Sequence, residues 1–104
     1  MYAKSTYTTI AEYTQTAQQY CEFGNDIKAA ETINRMSAYF HSRHPILSLY
    51  ARHDELDTLD TCLTIAAKQV AVKKLDMAAV TLSEINLAAN RIYERELPNF
   101  HNLF

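Results

Sequence analysis

An all-α fold, a four-helix up-and-down antiparallel bundle with a docked C-terminal tail, is what this sequence predicts. Three observations predict it. Apolar residues recur at spacings of three and four along most of the chain. The 104 residues include one glycine and two prolines, each placed where a helix boundary makes sense. The connections between periodic stretches are short, which sets successive helices antiparallel. A chain of 11.9 kDa supports one compact domain, residues 1–104, and is too short for two. No internal repeat or low-complexity tract is visible.

The first helix is predicted over residues 6–22, with Ile10, Tyr13, Ala17 and Tyr20 on one stripe and Gly24 at its C-terminal cap. Asn25 or Asp26 caps the second, over 26–42, whose stripe is Ala30, Ile33, Met36 or Ser37, and Phe40. Pro45 forbids a smooth continuation; it either starts a third helix or kinks one long one. That third helix is predicted over 45–74, with Ile46, Leu49, His53, Leu56, Leu59, Leu63, Ala66 and Val70 in line. Asp76 can cap the fourth, over 76–96, through Ala79, Leu82, Ile85, Ala89 and Ile92. The tail, 97–104, carries Leu97, Phe100, Leu103 and Phe104, too apolar for a loose end, and is expected to dock on the bundle.

Composition excludes several functions. A hydrophobic fraction of 48% with a mean hydropathy of -0.25 fits a folded, soluble chain. Net charge is -2 with a pI near 6.0, and no basic cluster exceeds Lys73-Lys74, so no nucleic-acid partner is expected. No run of about 20 apolar residues could span a membrane, and MYAKSTYTTI lacks the apolar core of a signal peptide.

The densest chemistry lies in ARHDELDTLD, residues 51–60. In the third-helix stripe His53 occupies a slot otherwise held by hydrophobes, so it is expected to face inward, with Asp57 within reach four residues on. Antiparallel counting from Pro45 sets Arg35 level with His53, and counting from the turn near Lys74 brings Arg91 and Arg95 toward Asp57 and Asp54. Three readings of this cluster stand side by side. One is a satisfied buried network that fixes helix register; another is a binding site made of His53, Glu55, Asp57, Arg35 and Arg91, serving a small ligand, a metal or a pH sensor; the third is an ordinary solvated helix face.

No metal site and no cofactor are expected. A di-iron bundle needs Glu-x-x-His on two helices, which is missing, and His41-Ser-Arg-His44 contains the fixed positive charge of Arg43. With Gly24 as the only glycine, neither a nucleophile turn nor a phosphate loop can be built, so no enzyme is expected. Cys21 and Cys62 match no zinc or redox spacing. They could pair only if their helices are neighbours.

The segments Asp26-Ile-Lys-Ala-Ala30 and His53-Asp-Glu-Leu-Asp57, with the ending Asn102-Leu-Phe104, resemble the domain of unknown function 4363 family. The resemblance covers residues 26–104. It implies a small, mostly helical protein of Gram-positive bacteria, often the exported part of a chain with one N-terminal membrane helix. Two departures are the missing membrane helix and Phe40 or Tyr39 where the family has tryptophan. An anchor removed before Met1 would place the domain, membrane-tethered, outside the cytoplasmic membrane; otherwise it is cytoplasmic. The family names no activity. Asn102 and Phe104 are expected to fix the tail, Asn102 by bonding backbone groups at a helix end. Together these readings point to a non-enzymatic protein-interaction or scaffold module that binds a protein partner or itself, with the sensor centred on His53 as the alternative.

Overall fold

The computed structural model describes the backbone of residues 2–103 and the side chains of 6–94. Four helices follow one another: α1 (Tyr2–Glu22), α2 (Asp26–Leu47), α3 (His53–Ala71) and α4 (Leu75–Leu103). Each packs on the next and α4 closes on α1, so the helices stand at the corners of a square with α1 diagonal to α3. The bundle measures 45 × 20 × 19 Å.

The core is built on heptad spacing. Tyr7, Ile10, Thr14, Ala17 and Cys21 are buried on α1, and Leu56, Leu59, Leu63, Ala66 and Val70 on α3. Ala29, Ile33, Met36, Phe40 and Leu47 face them from α2, and Ala78, Leu82, Ile85, Ala89 and Ile92 from α4. Alternating steps of three and four keep such a seam facing its neighbours at the shallow crossing angle of a four-helix bundle. Tyr13, Tyr20, Ala30 and Ala79, expected on the seams, lie at their half-buried edges.

Three boundaries differ from the periodicity reading: α1 starts at Tyr2 and not at residue 6, and the α2–α3 junction and the end of α4 also move. Pro45 neither ends α2 nor starts α3; it sits inside the last turn of α2, which runs on to Leu47. A proline removes a single N–H, and the carbonyls around it are still used, with Ser48 N–H bonding His44 O at 2.9 Å and Ala51 N–H bonding Leu47 O at 2.8 Å. Burial of Phe40 and Leu47, seven residues apart, holds this turn on the core. The true connection is 48–52, and α3 starts at His53 and stops at Ala71. At the other end α4 does not stop at residue 96. It continues through Pro98 to Leu103, as the three-residue steps from Leu97 to Phe100 to Leu103 permit, so 97–103 is helix and not a separate tail.

The two turns at one end share a backbone. After α1, Asn25 N–H reaches Tyr20 O at 2.8 Å and Gly24 N–H reaches Cys21 O at 3.1 Å; after α3, Lys74 N–H reaches Gln69 O and Lys73 N–H reaches Val70 O, both at 2.9 Å. Both are Schellman caps, which need a left-handed residue. Gly24 supplies it at φ 72° and Lys73 at φ 63°. Asn25 then caps α2 by accepting Lys28 N–H at 3.1 Å, whereas Asp76 lies within the first turn of α4 and is not its cap. Lysine is strained in this conformation, so Lys73→Gly is expected to stabilise the fold by about 0.5–1 kcal/mol. Urea denaturation checks this; an unchanged or lower midpoint would mean that the strain is relieved elsewhere.

These matching turns belong to a larger pattern. Every buried position from Tyr7 to Phe40 has a buried counterpart 49 residues later, as Ala66 follows Ala17. Five of the paired positions between residues 9 and 32 are identical: Thr9/Thr58, Ala17/Ala66, Ala29/Ala78, Ala30/Ala79 and Thr32/Thr81. Thr32 and Thr81 even make the same hydroxyl bond to the carbonyl four residues back, at 2.8 and 3.2 Å. The chain is thus two similar helical hairpins, α1–α2 and α3–α4, facing each other about a pseudo-two-fold axis along the bundle. This internal repeat is missing from the sequence reading because it lies in burial and turn geometry while most side chains have diverged.

Candidate functional site

The His53–Asp57 segment forms the first turn of α3, at the end of the bundle opposite the two Schellman turns. Glu55 reaches back to accept the Arg52 N–H at 3.2 Å, satisfying a donor that the helix start leaves orphaned. Asp54 and Glu55 place negative charge at the positive end of the helix dipole, and Asp54 also meets Arg52 at 3.4 Å. The acids that look like a site therefore start a helix.

His53 does not face inward. Its side chain is 82% exposed and its Nε2 lies 3.8 Å from Asp57 Oδ2, itself 66% exposed. The inward expectation extends the α3 stripe upstream through Leu49 and His53, but those residues precede or open the helix, and Leu49 is 74% exposed. Among the described residues no mid-bundle polar layer surrounds His53: it stands on the surface at the start of α3 with Asp57, and an exposed ion pair at this distance contributes little. His53→Leu is expected to change stability by less than about 0.5 kcal/mol from pH 5 to 8. Chemical denaturation across that range checks this, and a loss of about 2 kcal/mol would reinstate the register role.

The other candidates separate. Arg35 pairs with Glu31 on its own helix at 2.8 Å. The α2–α3 register, marked by His41 Nε2 to Asp60 Oδ1 at 2.8 Å, sets Arg35 beside Ala66, about 20 Å along the bundle from His53. The expected pairing counted from Pro45, whereas the chain turns at 48–52. Arg91 does come to the segment. It lines a surface cleft of about 170 Å³ with Glu55, Thr58, Ala88 and Ile92, so Glu55 rather than Asp57 is its neighbour there. The side chains of Arg95, Asn102 and Phe104 lie outside the described residues.

The model of the domain of unknown function 4363 (DUF4363) family matches residues 1–103. The chain belongs to this family. Comparison with curated proteins and with solved structures finds no match in either. In this member of the DUF4363 family, the His-x-Glu-Leu-Asp segment is a helix N-terminus whose Glu55 does the capping, and the fold is a four-helix bundle. No helix among the described residues is long and apolar enough to cross a membrane.

Two side-chain clusters escaped the sequence reading. Ser37 Oγ lies 3.5 Å from His41 Nδ1, whose Nε2 meets Asp60, a serine–histidine–aspartate chain in outline. It stands on a solvated face, with His41 and Asp60 more than half exposed, and the N–H groups around it are spent on helix bonds, so it lacks the oxyanion donors that acyl transfer requires. Its partners come from two helices, and only the register reveals them.

The second cluster surrounds Tyr39, with the Arg43 guanidinium 5.3 Å from its ring. Burial pushes the phenol up, but hydrogen bonds with Thr9, Thr6 and Arg43, and the charge of Arg43, outweigh it and hold the group below its ordinary value of 10.0. A depressed acid stabilises the fold above its unfolded pKa and loses that contribution as pH falls through the folded one, so at neutral pH this effect is absent. In an alkaline absorbance titration Tyr39 is expected to ionise below the usual tyrosine range, and Tyr39→Phe to remove that early phase. An unchanged titration would overturn this.

Cys21 and Cys62 are free. They sit on the diagonal pair α1 and α3, and burial, then the charges of Glu22 and Glu84 respectively, raises both thiols, which disfavours the reactive thiolate. Among the described residues no three histidines, cysteines or acids are placed to hold a metal ion. More prominent is the end formed by the two Schellman turns. Phe23 is 81% exposed, Ile27 74%, Val72 64% and Met77 47%, all in the turns or in the first helical turn after them. A phenylalanine and a valine beside left-handed cap residues were the available signal.

Proposed function

We propose that this chain is a non-catalytic helical module that works by docking a protein on the end of the bundle where both Schellman turns lie. The observation that supports this reading is that four large apolar side chains, Phe23, Ile27, Val72 and Met77, are exposed at that end, against Leu49 and Tyr50 at the other, with Phe23 and Val72 at equivalent positions of the two hairpins. Exposed apolar groups gathered on one surface mark interaction sites, whereas scattered ones do not. The polar segments around His53 and His41 are solvated and offer no enclosed place for chemistry, so neither enzyme nor cofactor enters the proposal. A tethered position outside the cytoplasmic membrane belongs to the same proposal and is tested by protease accessibility on intact source cells.

The docking test is site-specific photo-crosslinking in source cells. A photoreactive residue at position 23 or 72 should give a discrete protein adduct, and one at the exposed Leu87, midway along α4, should not. Equal labelling at all three positions, or none, would overturn the proposal.

A further inference from the structure

We propose that the partner of this apolar end is a second copy of the chain, held end to end about a two-fold axis perpendicular to the bundle. This rests on the docking reading above and names its partner. The argument begins with symmetry. The α1–α2 and α3–α4 turns form opposite edges of one face, with Phe23 and Val72 at equivalent positions and the same cap geometry beneath them. Of the apolar groups at this end, Phe23 and Val72 are equivalent about the bundle axis, whereas the counterparts of Ile27 and Met77 are Asp76 and Lys28; the Phe23 and Val72 pair alone would accept a second copy in more than one orientation.

Charge breaks this symmetry. The α1–α2 turn carries Glu22 and Asp26, where the equivalent positions of the other turn are Ala71 and Leu75. The α3–α4 turn carries Lys73 and Lys74, where the first has Gly24 and Asn25. Lys28 adds a positive charge to the first turn, directed to Glu31 at 3.9 Å, and Asp76 adds a negative one to the second. One turn is thus net acidic and the other net basic. An isologous contact needs a patch that complements itself. A two-fold axis running between the turns, parallel to them, sets the acidic turn of each copy over the basic turn of the other, twice. The alternative axis pairs acid with acid and base with base. Charge therefore selects one orientation, with Phe23 set against Val72 of the second copy along each edge of the contact.

The face is small. A cross-section of 20 × 19 Å offers roughly 400 Å² per copy against the about 800 Å² of a standard interface, so the dimer is reversible and concentration-dependent.

Sedimentation velocity on the full chain from micromolar to millimolar concentration, at low and high salt, tests this. Wild type should pass from monomer to dimer and associate less at high salt. Phe23→Ser with Val72→Ser, both exposed and so compatible with folding, should weaken association on the order of thirtyfold. The decisive arm uses two charge variants, Glu22→Lys with Asp26→Lys, and Lys73→Glu with Lys74→Glu. Each alone should stay monomeric, because its two turns then carry like charge, and an equimolar mixture should dimerise. A wild type that is monomeric throughout, charge variants that associate as well as wild type, or a mixture that stays monomeric would each overturn the proposal. If wild type is monomeric while position 23 still crosslinks a protein of another size, the second copy is excluded and the docking reading stands.

Discussion

Phe40→Ala is expected to cost about 3–5 kcal/mol, much of the stability available to a domain of this size. Phe40 is 1% exposed and among the largest fully enclosed side chains. Its position in the repeat explains why the penalty is high. The register sets it at a level with Ile10, Leu59 and Ala89, and Ala89 is its counterpart in the second hairpin. One hairpin puts its bulk where the other is small, and the aromatic ring fills space on both sides of the pseudo-axis. Removing it leaves a cavity that helices held at four corners cannot close. Urea denaturation of Phe40→Ala tests this, and a cost under about 1 kcal/mol would mean that the level collapses freely. The double variant Phe40→Ala, Ala89→Phe conserves volume and is expected to recover part of the loss.

Ala66→Leu acts in the opposite sense and is expected to cost about 1–3 kcal/mol by overpacking. Ala66 and its counterpart Ala17 are both 0% exposed, at a level shared with the larger Ile33 and Leu82. Small residues on α1 and α3 there face large ones on α2 and α4, so three more heavy atoms have no room without moving a helix. Because the two positions are equivalent, Ala17→Leu should cost a similar amount. A thermal or urea series on the two variants checks both statements. A neutral Ala66→Leu would reveal a void, and sharply unequal costs would show that the hairpins have diverged in packing as well as in sequence.

Much of this architecture was legible because a bundle is written in local signals. The apolar stripes of α3 and α4 from Leu56 to Val70 and from Leu82 to Ile92 lie where their spacing puts them. Gly24 and Asn25 end one helix and begin the next as their backbone preferences require. Pro45 was misleading because a missing N–H matters less in a last turn, where burial of Leu47 holds the chain, than in mid-helix. The candidate site suffered from the same displacement. Once the turn moves from Pro45 to 48–52, Arg35 slides to the level of Ala66, and His53 leaves the seam for the surface. Arg91 comes to the start of α3, where it lines one cleft with Glu55, because counting from Lys74 begins close to the true α3–α4 turn.

The sequence by itself determined that this is an all-helical chain of four segments with hydrophobic seams, since helix periodicity and capping are properties of neighbours a few residues apart. Only the tertiary structure decided which side chains from different helices come together. His41 finds Asp60, Tyr39 finds Thr6 and Thr9, and Phe23 comes to the same end of the bundle as Val72, because the register between helices is set by the whole packed core and the turns that join it. The repeat of 49 residues surfaced at the same level, because burial selects only size and apolarity at each seam position and leaves the identity of most side chains free to change.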